Sequence, residues 1–227
     1  MPRQLAFDLP VRPALGRGDF LVAPPNAVAL ATVEGGDWPQ GKLILAGPEG
    51  AGKTHLAHVW ATAEGAAVIA AADLAGADIP TLAGSGAVAV EDADRIAGDR
   101  AAEDALFHLH NLVLAEGGRL LLTARAAPRH WGLALPDLAS RMQAAGLATI
   151  APPDDALLSA VLVKLFADRQ IAVPPALISW LVTRMERSFA GAQRLVAALD
   201  ARALAEGKPV SRGLAQAVLD SDGQDRP

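Results

Sequence analysis

The segment Gly47-Pro48-Glu49-Gly50-Ala51-Gly52-Lys53-Thr54 narrows the choice of fold more than any other in the chain. It matches the phosphate-loop pattern in full. An apolar run, Leu43-Ile44-Leu45-Ala46, precedes it as a buried strand would, and a helical pattern follows from Thr54 to Ala63. Each part has a physical task. The glycines let the backbone curl so that its N–H groups converge on phosphate oxygens, and the helix start adds its positive end. Lys53 is expected to reach the β- and γ-phosphates, and the Thr54 hydroxyl to ligate Mg²⁺. The nucleotide is ADP or ATP.

The pattern beyond the loop predicts alternating strands and helices. Further strands fall at Val68–Ala70, Ala87–Val90, Leu120–Thr123 and Leu147–Ile150, and helices at Asn26–Val33, with Asn26 as N-cap, and Arg100–Glu116. Continuous apolar strands between helices imply a parallel sheet covered on both faces. Beyond Pro152-Pro153 only helical patterns remain, at 154–169, 175–187, 190–206 and 211–219. The expected organisation is a proline- and glycine-broken arm at 1–18, an α/β nucleotide-binding domain at 19–152, a helical lid at 153–220 and a disordered tail at 221–227.

A phosphate loop needs carboxylates at the end of a neighbouring strand, and Glu91-Asp92 directly follow Ala87–Val90. One acid holds Mg²⁺ through water, assigned here to Glu91 with Thr54, and the other orients the attacking water. The usual order places Asp first. The longer Glu91 at the metal position predicts weak hydrolysis by the protein itself.

Composition excludes several classes. The chain has no cysteine, which rules out disulfides and thiolate metal sites and suits a reducing cytoplasm. No stretch is long and apolar enough to span a bilayer. A formal net charge of −5 over 227 residues argues against strong direct DNA binding, which needs a basic face. His55 and His58 lack the glutamate of a metalloprotease motif.

Several stretches together carry a resemblance. Lys53-Thr54-His55-Leu56-Ala57-His58, Phe20 to Asn26, Glu91-Asp92-Ala93-Asp94, Leu106 to Asn111, and Leu138-Ala139-Ser140-Arg141 resemble successive boxes of the DnaA family of AAA+ P-loop proteins, covering most of the chain after residue 19. The resemblance implies an AAA+ domain with a parallel five-stranded sheet flanked by helices, followed by a small helical lid. It implies nucleotide contacts from Gly47, Pro48, Glu49, Gly50, Ala51, Gly52, Lys53, Thr54 and His55. Catalytic roles fall to Glu91, Asp92 and Arg141, the last as an arginine finger acting on a neighbour's ATP. For the lid arginine that reads the nucleotide, the alignment places Gln193 at the family position and Arg194 one residue along. Thr123 closes the fourth strand as a polar sensor, although Ala124 and Arg125 depart from the family pattern.

The arm adds a narrower likeness. Gln4-Leu5-Ala6-Phe7-Asp8-Leu9 resembles the peptide that binds the DNA polymerase sliding clamp, with Leu5, Phe7 and Leu9 entering an apolar groove and Gln4 bonding at its edge. No counterpart of the initiator's C-terminal DNA-binding domain is recognised. These features resemble the Hda-type branch of the family, which docks on the clamp and stimulates hydrolysis of DnaA-bound ATP, restraining replication initiation. A DNA-acting protein of the same fold, such as a helicase loader or a truncated initiator, is the alternative. A self-contained ATPase or kinase is a third, but no acceptor-substrate motif is present. Head-to-tail self-assembly stays open.

Overall fold

The computed structural model describes residues 16–224. Its centre is a five-stranded sheet in the order β2-β3-β4-β1-β5, formed by β1 (Lys42–Ala46), β2 (Ala67–Ala70), β3 (Ala87–Glu91), β4 (Arg119–Ala124) and β5 (Gly146–Thr149). All pairings are parallel. Every residue of β1 is buried, and β3 and β4 are buried but for one end residue each. The edge strands β2 and β5 are half-covered.

The pleat sends alternate side chains to opposite faces. Leu43, Leu45, Ala89 and Leu121 pack with α1 (Pro24–Gly35) and α2 (Lys53–Glu64). Ile44, Val88, Val90, Leu120 and Leu122 pack with residues of α3 (Ile79–Ala83), α4 (Arg100–Ala115) and α5 (Pro136–Gln143). Both faces of the sheet are therefore roofed, which is why the strands read as unbroken apolar runs. A separate core, including Leu162, Phe166, Leu181, Leu195 and Leu199, joins α6 (Asp155–Asp168), α7 (Pro175–Val182), α8 (Phe189–Glu206) and α9 (Arg212–Gln224).

Local chemistry moves several boundaries. Helix α1 begins at Pro24, because prolines at the first two positions lose no needed N–H. Asn26 is thus inside the helix and not its N-cap. It caps from within, accepting from the Ala23 N–H at 2.9 Å and donating to the Leu21 carbonyl. Helix α7 stops at Val182 rather than running to Arg187, since the chain turns to set Ser188 as N-cap of α8 through the Gly191 N–H. Helix α9 continues through Gln224, past the expected end at Leu219 and into the segment read as a disordered tail. The short helix α3 had no clear periodic signal. Of the arm, residues 1–15 lie outside the described residues. Residues 17–19 form a short 3-10 helix, tied down by Arg17–Glu34 and Asp19–Lys164 ion pairs.

One buried acid fixes the loops that carry α4 and α5. Glu103 is fully buried and accepts three backbone N–H groups, from Gly98 at 2.9 Å, Ala134 at 3.0 Å and Leu135 at 2.7 Å. Burial pushes its pKa up, but these donors outweigh burial and hold the carboxyl below its ordinary value. The stability this confers is complete above the unfolded glutamate value of about 4.3 and is lost as pH falls through the lower folded value. Glu103→Gln is expected to cost about 1–3 kcal/mol in urea unfolding at neutral pH, and to flatten the loss of stability on acidification. An unchanged acid limb in the variant would contradict the assignment.

Candidate nucleotide-binding site

The phosphate loop runs from the C-terminal end of β1 into α2. Gly47 donates to the Ala124 carbonyl at 3.1 Å, tying the loop to β4. Gly50 and Gly52 adopt φ of 71° and 96°, a region that side chains other than glycine rarely enter. Space is limiting as well. A Cβ at Gly50 would lie 2.4 Å from the Ser188 Cβ, and one at Gly47 2.5 Å from the Ile150 carbonyl oxygen.

Lys53 is buried, and its ammonium donates to the carbonyls of Gly47 at 2.8 Å and Pro48 at 3.0 Å. It is folded back across the loop it serves. Burial pulls its pKa down, and attraction to Asp92, Asp94 and Glu49 opposes that. Thr54, in the first turn of α2, is exposed.

The acids do not share one environment. Glu91 ends β3, and its Oε1 is buried without a hydrogen-bond partner; the His58 ring Nε2 lies 3.9 Å away. Asp92 takes a left-handed backbone (φ 54°), stabilised by its N–H donating to Thr123 Oγ1 at 2.9 Å. Its carboxylate faces Arg95 at 3.2 Å. Asp94, absent from the sequence-derived set, is mostly buried. Its Oδ2 meets Arg125 Nε at 3.3 Å and its Oδ1 has no hydrogen-bond partner. The sequence offered a signal for it, the second aspartate of Glu91-Asp92-Ala93-Asp94, three residues beyond the strand end.

Among the described residues no group of three or more His, Cys, Asp and Glu could hold a metal. The Thr54 hydroxyl and the orphaned Glu91 and Asp94 oxygens still fit a hard cation whose other ligands are phosphate oxygens and water.

The helical part reaches the loop directly. Phe189 N–H donates to the Gly50 carbonyl at 2.9 Å, and the Phe189 ring lies against Gly52. Arg194 is one turn further along α8, largely exposed and paired with Glu186, which also accepts from Ser188 Oγ at 2.6 Å. His55 has another setting. Its Nε2 lies 3.2 Å from the Gly16 carbonyl, and its ring stands edge-on to Phe20. Burial lowers its pKa.

Arg141 is far from these groups. It lies near the C-terminal end of α5 and shares a cleft with Gly41 and Gly118, which immediately precede β1 and β4. The intervening strand has five residues, so the opposite edge of the sheet is roughly 15 Å away. The Arg141 guanidinium stacks 5.0 Å from the Phe107 ring centre. The structure thus brings Lys53, Thr54, Glu91 and Asp92 to one edge and leaves Arg141 at the other.

Solved structures share this fold. Domain III of the Thermotoga maritima replication initiation protein DnaA aligns with a TM-score of 0.78 and 17% identity over 94% of this chain and 98% of that one. The fold is AAA+. Replication initiator DnaA bound to AMPPCP and single-stranded DNA aligns with a TM-score of 0.69 and 18% identity, over 82% of this chain but 64% of that one. A Thermotoga maritima RuvB mutant, A156S, gives 0.68 and 16%, over 88% and 70%. At such identities the likeness is one of fold. No protein-family model matches the sequence.

Lys53→Ala should leave the thermal midpoint of the nucleotide-free protein nearly unchanged, because the two hydrogen bonds lost are offset by relief of a buried charge. It should weaken Mg·ADP binding about a hundredfold, roughly 2.7 kcal/mol, by calorimetric titration. Retained affinity would remove Lys53 from the site.

Proposed function

We propose that this chain is a DnaA-like AAA+ regulator that binds ADP or ATP with Mg²⁺, docks on the polymerase sliding clamp and promotes hydrolysis of ATP held by DnaA in the cytoplasm. The observation that carries the reading is the place of Arg141. It stands at the edge of the sheet remote from its own phosphate loop and has no ion-pair partner among the described residues. An arginine so placed is available to another molecule's nucleotide and not to its own.

The chemistry follows from the residues. The loop amides and Lys53 hold the phosphates, and Thr54 with Glu91 would hold Mg²⁺, which neutralises charge on the bound phosphates. Lys53 must leave the Gly47 and Pro48 carbonyls to reach them. Asp92 and Asp94 sit close enough to act on Lys53 electrostatically. Asp92 is committed to Arg95 and Thr123, and Glu91 is the longer acid at the metal position; slow intrinsic turnover fits that set. His55 supports the site from behind, fastening the lead-in segment to α2. Arg194 reaches the nucleotide only by exchanging its Glu186 pair for a phosphate. Arg141 supplies charge to a γ-phosphoryl presented in trans.

The clamp-docking part rests on Gln4, Leu5, Phe7 and Leu9, outside the described residues, and on their likeness to a clamp-binding peptide. A DNA-acting role is the competing reading, since one similar structure is a DnaA with single-stranded DNA. The net charge of −5 weighs against it, and a steeply salt-dependent DNA affinity would revive it.

The deciding experiment follows hydrolysis of ATP pre-bound to DnaA on clamp-loaded DNA. Wild type should accelerate it, and Arg141→Ala should lose most of that effect, on the order of 10³-fold for an arginine finger. No acceleration by wild type would end the regulator reading and leave the nucleotide site standing. Removal of residues 1–10 should abolish clamp binding in surface plasmon resonance while nucleotide affinity persists; unchanged clamp affinity would end the docking assignment.

A further inference from the structure

The cleft beside Arg141 contains a second feature that the regulator reading does not use. Its volume is about 480 Å³, and Gln40, His110, Asn111 and Arg141 line it together with the turns at Gly41 and Gly118. Behind His110 lies Lys42, which is 2% exposed. A buried lysine ordinarily meets a carboxylate. Lys42 instead meets His110, with Nζ 3.3 Å from Nε2. The charges acting on Lys42 and His110 are all positive, Arg141 on both and Lys42 on His110.

This contact orders a polar chain. An ammonium only donates, so His110 Nε2 accepts and the ring proton is assigned to Nδ1. Nδ1 lies 3.2 Å from Asn111 Oδ1 and donates to it. The Asn111 amide nitrogen is thereby left as a donor at the cleft wall, without a hydrogen bond among the described residues. Burial, and then the neighbouring cations against the pull of Asn111, lower the His110 pKa, consistent with a neutral ring. Arg141 is held by the Phe107 ring, which orients the guanidinium without spending its donors. Gln40 contributes a further amide at the rim, from a backbone with φ 53°, a conformation that costs a non-glycine residue energy.

We infer that this cleft is an anion site for a phosphate group, contacted by Arg141 and the Asn111 amide and backed by the Lys42 charge. Two cations with no acid balance a phosphate dianion; a single carboxylate would leave one of them unmatched. The fork of an arginine suits phosphate geometry. The site is at the sheet edge away from the chain's own phosphate loop, so its phosphate comes from elsewhere, either a free small phosphate or the terminal phosphate of a nucleotide on a neighbouring molecule. Only the second source rests on the proposed function.

The test uses the full chain with its own loop filled by Mg·ADP and histidine labelled with ¹⁵N. One arm adds inorganic pyrophosphate, and the other adds the DnaA AAA+ domain loaded with ATP analogue or with ADP. A shift of the His110 ring signals with pyrophosphate establishes the site with a free phosphate. A shift with the ATP-analogue domain and not the ADP-loaded one establishes it with a neighbour's terminal phosphate. In either case Lys42→Met and Asn111→Asp should each weaken the response at least tenfold. Lys42→Met should do so with no loss of thermal midpoint, whereas a lysine retained for structure would lower it. Asn111→Asp, at the cleft wall, keeps the test open if the lysine variant does not fold. Silent His110 signals in both arms, or shifts that persist in both variants, overturn the inference. Pyrophosphate binding without stimulation of DnaA would instead keep the site and remove the regulator reading.

Discussion

All five strands run the same way, and this shared direction sets the chemistry. A parallel sheet has two unlike edges. Backbone leaves the strands at one edge, where Gly47 to Thr54, Glu91, Asp92, Asp94 and Thr123 collect. It enters at the other, where Gly41, Lys42, Gly118 and Arg141 collect. Burial of the central strands on both faces holds these edges at a fixed separation. The acids and the phosphate loop act together because β1, β4 and β3 are adjacent, and Arg141 is kept from them by the length of a strand.

The contact between the loop and the helical part depends on missing side chains. Ser188 lies against Gly50 where a methyl group would not fit, and the Phe189 ring lies against Gly52 where one would be crowded. The bond from Phe189 N–H to the Gly50 carbonyl joins α8 to the residues that would hold phosphate. Glu186 gathers Ser188 and Arg194 on the same turn. The first turn of α8 is therefore in mechanical contact with the loop through main chain, while Arg194 is engaged elsewhere.

Much of this was legible in the sequence because the sheet is buried on both faces. Leu43–Ala46, Ala87–Val90 and Leu120–Thr123 are unbroken apolar runs next to glycines or acids, and they are strands at nearly those limits. The phosphate loop carried its own context. Where side chains decide, sequence reasoning fell short. Asn26 looks like an N-cap in isolation, but two prolines before it move the helix start. Glu103 reads as a surface acid on α4, and only the fold shows its three backbone donors. Lys42 looks like the ordinary charged start of a strand, and His110 like a helix residue. Their meeting depends on the packing of α4 over β1, which no local pattern encodes.

The two edges also constrain how copies could meet. A contact that brings Arg141 of one molecule to the phosphate loop of another uses different surfaces on the two sides, so it cannot be a two-fold pairing. Any dimer made this way leaves one loop and one arginine unmatched, and further copies can only extend a row or close a ring. The molecule has a head and a tail, and an encounter with a different nucleotide-binding chain would have a sense of direction set by the shared direction of the strands.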